Sequence, residues 1–478
     1  MKDVIIIGGG IVGCATARFL SRYKLQVLVL ERETDIGTGA TKANSGILHA
    51  GYDCHQGTLK AALNVKGVEM YPRLARELDI PYRINGSMVL SYHQDGVEDW
   101  ELKKLYARGG INGVSGLKIL SGEDARKLEP NLNRSVTAVL RAETAGVISP
   151  YEAAIAFGEN AVQNGVGFSL DTTVIGISRG EGYIVSTNRG NFCAKVVVNA
   201  AGVESGHVYN MARHNMDCFH EEEILPQRGE YYLLDNTQRD LVKHTIFQLP
   251  THLGKGVLIV PTVDNNIMLG PTADFIEDGN DTSTTRKGLA DILEKVALSL
   301  NQVPIRDRIA NFAGVRAKHE SKDFVLEEPQ PGFINAIGID SPGLSAAPAI
   351  AAYLAEIVLS RLQPAENPDF NPHREGIKRF RELLPERQEY LVRKNPDYGR
   401  IVCRCETITE AEVIQAIHRP IGAKNLDALK RRTRAQMGRC QGGFCTIRLI
   451  EILSRELGVP ETAVTKGGAG SEIVMGMM

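Results

Sequence analysis

The sequence predicts an α/β protein with three parts: a discontinuous Rossmann-like nucleotide-binding domain, an α+β domain with an antiparallel sheet, and a small helical C-terminal module. Three observations predict it. The chain opens on an apolar run at 4–7, a Gly8-x-Gly10-x-x-Gly13 turn, helical spacing over 11–20, and a second apolar run over 26–30 that ends at Glu31. Two more buried runs, 196–198 and 333–337, each lead into a glycine-containing turn far along the chain. Four of the eight cysteines, Cys403, Cys405, Cys440 and Cys445, crowd into the C-terminal segment.

At 478 residues the chain is long for one core, so two or three domains are expected. The hydrophobic share of 43% and charged share of 23% are those of an ordinary globular protein. A formal net charge of -2 argues against bulk nucleic-acid binding. No apolar run approaches the roughly 18 residues that span a bilayer, so no integral membrane span is expected. The N-terminus enters its first strand with no basic region and no cleavage site, which reads as a mature cytoplasmic start. Cys14, Cys54, Cys193 and Cys218 are scattered. In a cytosolic enzyme the C-terminal four read as a metal site rather than a disulfide framework.

The elements follow in order. A continuous apolar run at 4–7 is what a buried parallel strand requires. The runs at 196–198 and 333–337 have the same pattern, the second continuing through Gly338 into a helix from about 344 to 362. One domain over 1–80, 149–214 and 316–362 is therefore expected, with 81–148 and 215–315 inserted as a second domain. Segments 230–234, 256–260 and 266–270 read as strands of an antiparallel sheet bounded by turn residues. Prolines at 364, 368, 372, 385 and 396 mark 363–399 as an irregular connector with a short helix. Residues 400–478 form the last module.

The glycine turn carries a mechanism. Its glycines allow a tight turn, close approach of backbone to a pyrophosphate, and tight helix–strand packing. The helix N-terminus offers free N–H groups and a positive dipole end. Glu31 is placed to accept hydrogen bonds from ribose hydroxyls. The bland alternative is an ordinary glycine turn, but strand, helix and acid all fall where a dinucleotide needs them.

The small-residue stretch 38–51, from Thr38 to Gly51, resembles the flavin-contacting segment of the D-amino-acid oxidase/glycine oxidase superfamily. Asn199-Ala200-Ala201-Gly202 and Gly338-Ile339-Asp340-Ser341-Pro342-Gly343-Leu344 resemble its two later contacts. The resemblance implies FAD rather than NAD. It implies cofactor contacts at Gly8, Gly10, Ile11, Gly13, Glu31, Arg32, Thr41, Asn44, Ser45, Val174, Ala201, Gly202, Gly338, Ser341, Gly343 and Leu344. It sets a helix N-terminus where negative charge develops on the flavin.

Within the superfamily, Asn44 to Gly51 followed by Leu59-Lys60 is similar to two relatives. One is the FAD-dependent glycerol-3-phosphate oxidase/dehydrogenase group, and the other is L-2-hydroxyglutarate dehydrogenase. Residues 227–232 and 249–258, with Gly254-Lys255-Gly256, are similar to the first, as are 311–316 and 341–345. The resemblance implies a small anionic hydroxy substrate. His49 would take the hydroxyl proton, having an unperturbed pKa near neutrality. Arg316 would grip the anion through two N–H groups, Lys255 would add a point charge, and Ser345 would hydrogen-bond a substrate oxygen. Taken singly, an arginine or lysine is more often a surface ion, and a histidine more often structural. His252 and His319 match no family position and read as structural.

Cys403-Arg404-Cys405 and Cys440-Gln441-Gly442-Gly443-Phe444-Cys445 are two ligand pairs on short loops. Four thiolates suit a [2Fe–2S] cluster or zinc, and spacing alone does not separate them. Residues 402–406 with 434–445 resemble the bacterioferritin-associated-ferredoxin-like [2Fe–2S] domain, which implies the cluster. That domain is also appended to the large subunit of anaerobic glycerol-3-phosphate dehydrogenase. The basic run 430–434 reads as a solvated face, as a counter-charge to the cluster, or as a dock for an acidic electron-transfer partner. The resemblance predicts oxidation of glycerol 3-phosphate, with electrons passed to an acceptor protein or a quinone-linked partner subunit, through which alone the chain would meet a membrane. Oxidation of L-2-hydroxyglutarate is the second reading, and a non-catalytic flavin and iron–sulfur electron carrier the third.

Overall fold

Strand Lys2–Ile7 is buried over Val4 to Ile7 because four apolar side chains follow one another, two for each face of a sheet. The computed structural model, which describes residues 1–92, 97–212, 221–249 and 256–476, sets this strand inside an eight-stranded sheet. Lys2–Ile7 pairs in parallel with Val27–Leu30 on one side and Gly190–Asn199 on the other. Gly190–Asn199 also pairs in parallel with Phe333–Ile337. The three apolar runs of the sequence thus share one sheet. Helices Ile11–Leu20, Leu59–Leu78, Pro150–Gln163 and Gly343–Leu362 pack together over it in the main core.

A second sheet has nine strands and draws on both insertions. Leu225–Leu234 pairs antiparallel with Arg308–Lys318 along its length and with Ile267–Gly270 on its other edge. The sheet continues through Leu258–Pro261 and Thr245–Gln248 to Ser87–Ser91, Ala138–Ala142 and Leu117–Ser121. The expected antiparallel order is corrected at one place, where Thr245–Gln248 runs parallel to Ser87–Ser91. That pair joins the two insertions. Strand Arg308–Lys318 runs through residue 316, where the sequence reading placed a boundary. A small three-stranded sheet links Ile47–Leu48 through Gly146–Ile148 to Tyr82–Ile84, and so seats the 38–51 segment beside the start of helix Pro150–Gln163.

Helix Gly343–Leu362 corrects the reading that no apolar run approaches a membrane span. By length and composition it is the one described helix able to cross a membrane, with a mean hydropathy of 1.5. It packs against Leu59–Leu78 and Ile11–Leu20 and buries Ala346, Ile350, Leu354 and Val358 in the core.

The C-terminal module has its own apolar core, formed by helices Glu410–Ile417, Leu426–Thr433 and Thr446–Leu457 and the Ile401–Cys403/Ile408–Thr409 ladder. Thr409 caps the first of these, its side chain and that of Glu412 bonding each other's backbone N–H in a capping box. The basic run at its heart is not a solvated face. Arg431, Arg432 and Arg434 are all buried. Arg431 and Arg432 both bind Asp35, at 2.7 Å each. Arg434 binds Asp264 at 2.7 Å, Glu406 at 2.9 Å and the Asn266 side chain at 3.0 Å. The connector adds Arg379 to Glu152 and Asp264, and Arg374 joins Arg419 on Glu159. The module is therefore riveted to both of the larger sheets' domains.

Asp35 tests this docking. Burial pushes its carboxyl up, but Arg432 and then Arg431 outweigh burial and hold it below the ordinary 3.8. Its contribution to stability is complete above that ordinary value and is lost as the pH falls through the lower folded value. Asp35→Ala leaves two buried guanidinium groups without their carboxylate and should cost about 3–5 kcal/mol. Replacing Asp35, Arg431 and Arg432 together by apolar residues should recover part of that loss, because the desolvation cost also disappears. Urea denaturation of the three proteins measures both effects.

Candidate functional site

One cavity of about 1390 Å³ runs from the glycine turn to the nine-stranded sheet. At its first end Gly8 lines the cavity, and both Gly8 and Gly13 are tightly packed on their Cβ side. A Cβ on Gly13 would lie 2.0 Å from the Gly8 carbonyl oxygen, and one on Gly8 would lie 2.5 Å from that of Ala200. Gly10 differs. Its nearest neighbour for a Cβ is Thr41 Oγ1 at 3.5 Å, so the space beside it belongs to the cavity. The Ile11 amide donates to Thr41 Oγ1 at 3.1 Å, which ties the helix start to the 38–51 segment. Glu31 accepts from the amides of Gly9 (2.5 Å) and Glu33 (2.9 Å), and this fixes its carboxylate at the cavity wall. Arg32, Val174, Ala201 and Gly202 line the same end. These features fit an adenosine diphosphate moiety: a helix start, a glycine without a blocking neighbour, and a carboxylate facing the ribose position.

The middle of the cavity is lined by Thr41, Asn44, Ser45, Ser341, Gly343 and Leu344. Asn44 folds its own loop, donating to the Ala40 and Thr41 carbonyls and accepting from the Gly46 amide. The start of helix Gly343–Leu362 opens onto this part. Lys60 holds the preceding turn through Asp340 at 2.5 Å. Gly338 does not line the cavity. Its φ is +69°, and a Cβ there would lie 2.7 Å from that of His319, so it shapes the turn rather than touching a ligand. His319 itself is bound to Glu222 at 2.6 Å and Ser321 at 2.8 Å, as a structural histidine would be.

At the far end stand His49 and Arg316. His49 is 4% exposed and packs edge-on against Phe247. Two groups meet its Nδ1 at 3.2 Å: the Gly51 amide and Asp53 Oδ1. The amide needs Nδ1 as an acceptor and the carboxylate needs it as a donor. The carboxylate is the stronger partner and places the remaining basic nitrogen at Nε2. Arg316 spends two N–H groups on the Thr272 carbonyl and one on Gln227, and lies against the hydroxyl of buried Tyr231. Ser345 departs from its expected part. Its hydroxyl donates to the Ile47 carbonyl at 3.1 Å and accepts from the His49 amide at 2.7 Å. With its proton committed, Ser345 positions His49 rather than donating to a substrate. Lys255 and His252 lie outside the described residues. Asp53, Tyr231 and Phe247 line the cavity and were missed in the sequence. The i,i+4 spacing of His49 and Asp53 is the signal that was available.

The four C-terminal cysteines come together, but across the two loops rather than within them. Cys403 is within hydrogen-bond reach of Cys445, and Cys405 of Cys440. Among the described residues no three His, Cys, Asp or Glu side chains are gathered as a single-ion site. Two pairs of sulfurs suit two irons with two ligands each. Positive φ at Thr407, Gln436, Gln441 and Gly442 turns the loops inward. Amides of Glu406 and Gln436 point at Cys403, those of Gly442 and Phe444 at Cys440, and that of Gln436 also at Cys445. The thiol hydrogen bond from Cys445 and these amides bring Cys403 down to about 6. Tyr151, at the start of the helix beside the 38–51 segment, reaches Met437 of the cysteine loop at 3.6 Å.

Residues 3–357 match the family described as FAD dependent oxidoreductase, and residues 401–455 match the BFD-like [2Fe-2S] binding domain. The glycerol 3-phosphate dehydrogenase of Caloramator mitchellensis is 47% identical over 100% of this chain and 98% of its own. The solved L-alpha-glycerophosphate oxidase of Mycoplasma pneumoniae, with FAD bound, superposes with a TM-score of 0.74 at 29% identity, covering 78% of this chain and 98% of that one. Human L-2-hydroxyglutarate dehydrogenase is 31% identical over 57% of this chain and 60% of its own.

Two substitutions check the cofactor assignments. Gly10→Val fills the space left for the pyrophosphate, so the purified variant should lack flavin absorbance. A normal FAD content on denaturation would refute the placement. Cys440→Ser removes one of four ligands and should abolish the cluster's visible absorbance and paramagnetic signal while FAD stays bound. Zinc rather than iron in the anaerobically purified parent would contradict the assignment.

Proposed function

The chain belongs to the FAD dependent oxidoreductase family and carries a BFD-like [2Fe-2S] binding domain, and from that premise we propose that it oxidises sn-glycerol 3-phosphate to dihydroxyacetone phosphate. The observation that carries the proposal is the full-length similarity, at 47% identity, to a glycerol 3-phosphate dehydrogenase, which spans the flavin domain, the inserted sheet and the cysteine module together.

The flavin, when bound, supplies the two-electron acceptor for the hydride that leaves the secondary carbon, and the cluster supplies a one-electron exit. The chain's own residues do the rest. Arg316, braced by Gln227 and Thr272, meets the phosphate with the N–H groups left to it, and Tyr231 stands beside it. Lys255, which the resemblance to the glycerol-3-phosphate group assigns to the substrate, would add a second cation. His49 takes the proton of the secondary hydroxyl at Nε2 as the carbon becomes a carbonyl. Asp53 holds the ring and stabilises the imidazolium that forms. Ser345 and Asn64 fix the His49 backbone, through its amide and its carbonyl, so the base keeps its place. Phe247 and Tyr52 close around the ring and keep water from it.

Anaerobic mixing with a panel of polyol phosphates and hydroxy acids tests the proposal. Glycerol 3-phosphate should bleach the flavin quickly, and uncharged glycerol should be far poorer. Arg316→Ala should lower kcat/KM by about 2–4 kcal/mol in transition-state terms. Faster bleaching by L-2-hydroxyglutarate than by glycerol 3-phosphate would replace the proposed substrate.

A further inference from the structure

The two sulfur pairs of the C-terminal module face opposite ways. Cys403 and Cys445 are buried, whereas Cys405 is exposed and Cys440 half-buried. An electron that leaves the module for another molecule therefore leaves from the Cys405–Cys440 edge.

The surface around that edge is apolar at its centre and cationic at its rim. Phe444, in the loop between Cys440 and Cys445, is 87% exposed, and Ile447, three residues on, is 73% exposed. Side chains of this kind usually lie in a core, and both here face solvent beside a redox edge. Arg404, between Cys403 and Cys405, is exposed and makes no ion pair among the described residues. Arg439 is exposed and paired with Asp235, whose carboxylate is buried. Arg448 and Arg455 share Glu410, which is also buried. The carboxylates of these pairs are drawn inward and the guanidinium groups outward, so an approaching molecule meets positive charge. Two half-buried acids complete this network, Glu451 on Arg448 and Glu456 on Arg455, and Arg404 is its one cation without an ion pair among the described residues.

We propose that this face, with Arg404, Arg439, Phe444 and Ile447 around the Cys405–Cys440 edge, docks a small acidic protein that carries a one-electron centre. The inference rests on the reading that electrons leave through the cluster. Positive rim and negative partner steer the encounter, and the exposed aromatic and aliphatic side chains supply the dry contact at its centre. One electron passes from the reduced module to one ferric centre of the partner, which becomes ferrous. No bond breaks and no proton moves. An anionic membrane surface would meet the same residues, but a bilayer offers no centre that must approach the two sulfurs.

The test uses the full chain loaded with both cofactors and reduced with dithionite, so that it does not depend on the substrate. Rubredoxin, small and acidic, and cytochrome c, basic, serve as one-electron probes in stopped flow. The rubredoxin rate should fall about tenfold between low and moderate salt, as steered encounters do. Arg404→Glu and Phe444→Ala should each lower it several-fold, with the cluster's paramagnetic spectrum unchanged, and Arg404→Glu should speed cytochrome c. Ile447→Ser, further from the ligands, gives the same readout if Phe444→Ala perturbs the spectrum. Equal rates with both probes and no effect of the variants would overturn the proposal. So would binding to phosphatidylserine vesicles that Phe444→Ala abolishes while the rubredoxin rate stays the same.

Discussion

The carboxylate of Asp35, buried between the guanidinium groups of Arg431 and Arg432, ties the loop that follows Glu31 to the second helix of the cysteine module. Removing three charges from water is expensive, and the cost is offset only when each meets an opposite charge in good geometry. Arg432 also donates to the Ile421 and Ala428 carbonyls, which leaves little freedom in how the helix sits. A few residues on, Arg434 repeats the device against Asp264 in the hairpin turn of the inserted sheet. The two anchors are on different domains. The module is therefore held by the adenosine side of the flavin cavity and by the sheet that carries Arg316, and its cysteine loop is carried to Tyr151 beside the flavin segment.

This docking gives the proposed electron route its direction. The buried sulfur pair faces the protein and the open pair faces solvent. A module hung on a flexible linker would present its edge at random. Here the connector is itself pinned, with Arg374 on Glu159 and Arg379 on Glu152 and Asp264. The amides aimed at the sulfurs stabilise thiolate charge, and αL residues in the loops make that aim possible.

What the sequence carried was local. The glycine turn, the apolar strand runs and the cysteine spacing are each written in a few neighbouring residues; most of the named flavin and substrate residues line one cavity, and the four cysteines meet in the C-terminal module. What it hid was partnership at a distance. The run 430–434 looks solvated because its counter-charges, Asp35 and Asp264, are far away in the chain and carry no motif. Ser345 sits in a segment that resembles a substrate-binding one, yet its hydroxyl closes on the backbone of residues 47–49, a contact between opposite ends of the flavin domain. Gly338 proves to be a turn residue for the same kind of reason, since its close approach to His319 depends on the facing loop and not on the glycine. Tyr231 was within a recognised segment, but its place beside Arg316 follows from the register of two strands, Tyr231 opposite Phe312 and Gln227 opposite Arg316.

The central claim is that substrate electrons pass from flavin to cluster inside one chain. Anaerobic mixing with glycerol 3-phosphate, followed by rapid freezing, measures it directly by flavin absorbance and the paramagnetic signal of the reduced cluster. The account predicts that flavin bleaching is followed by the cluster signal at a rate independent of protein concentration. A fully bleached flavin with no cluster signal, or a rate that rises in proportion to protein concentration, would contradict it.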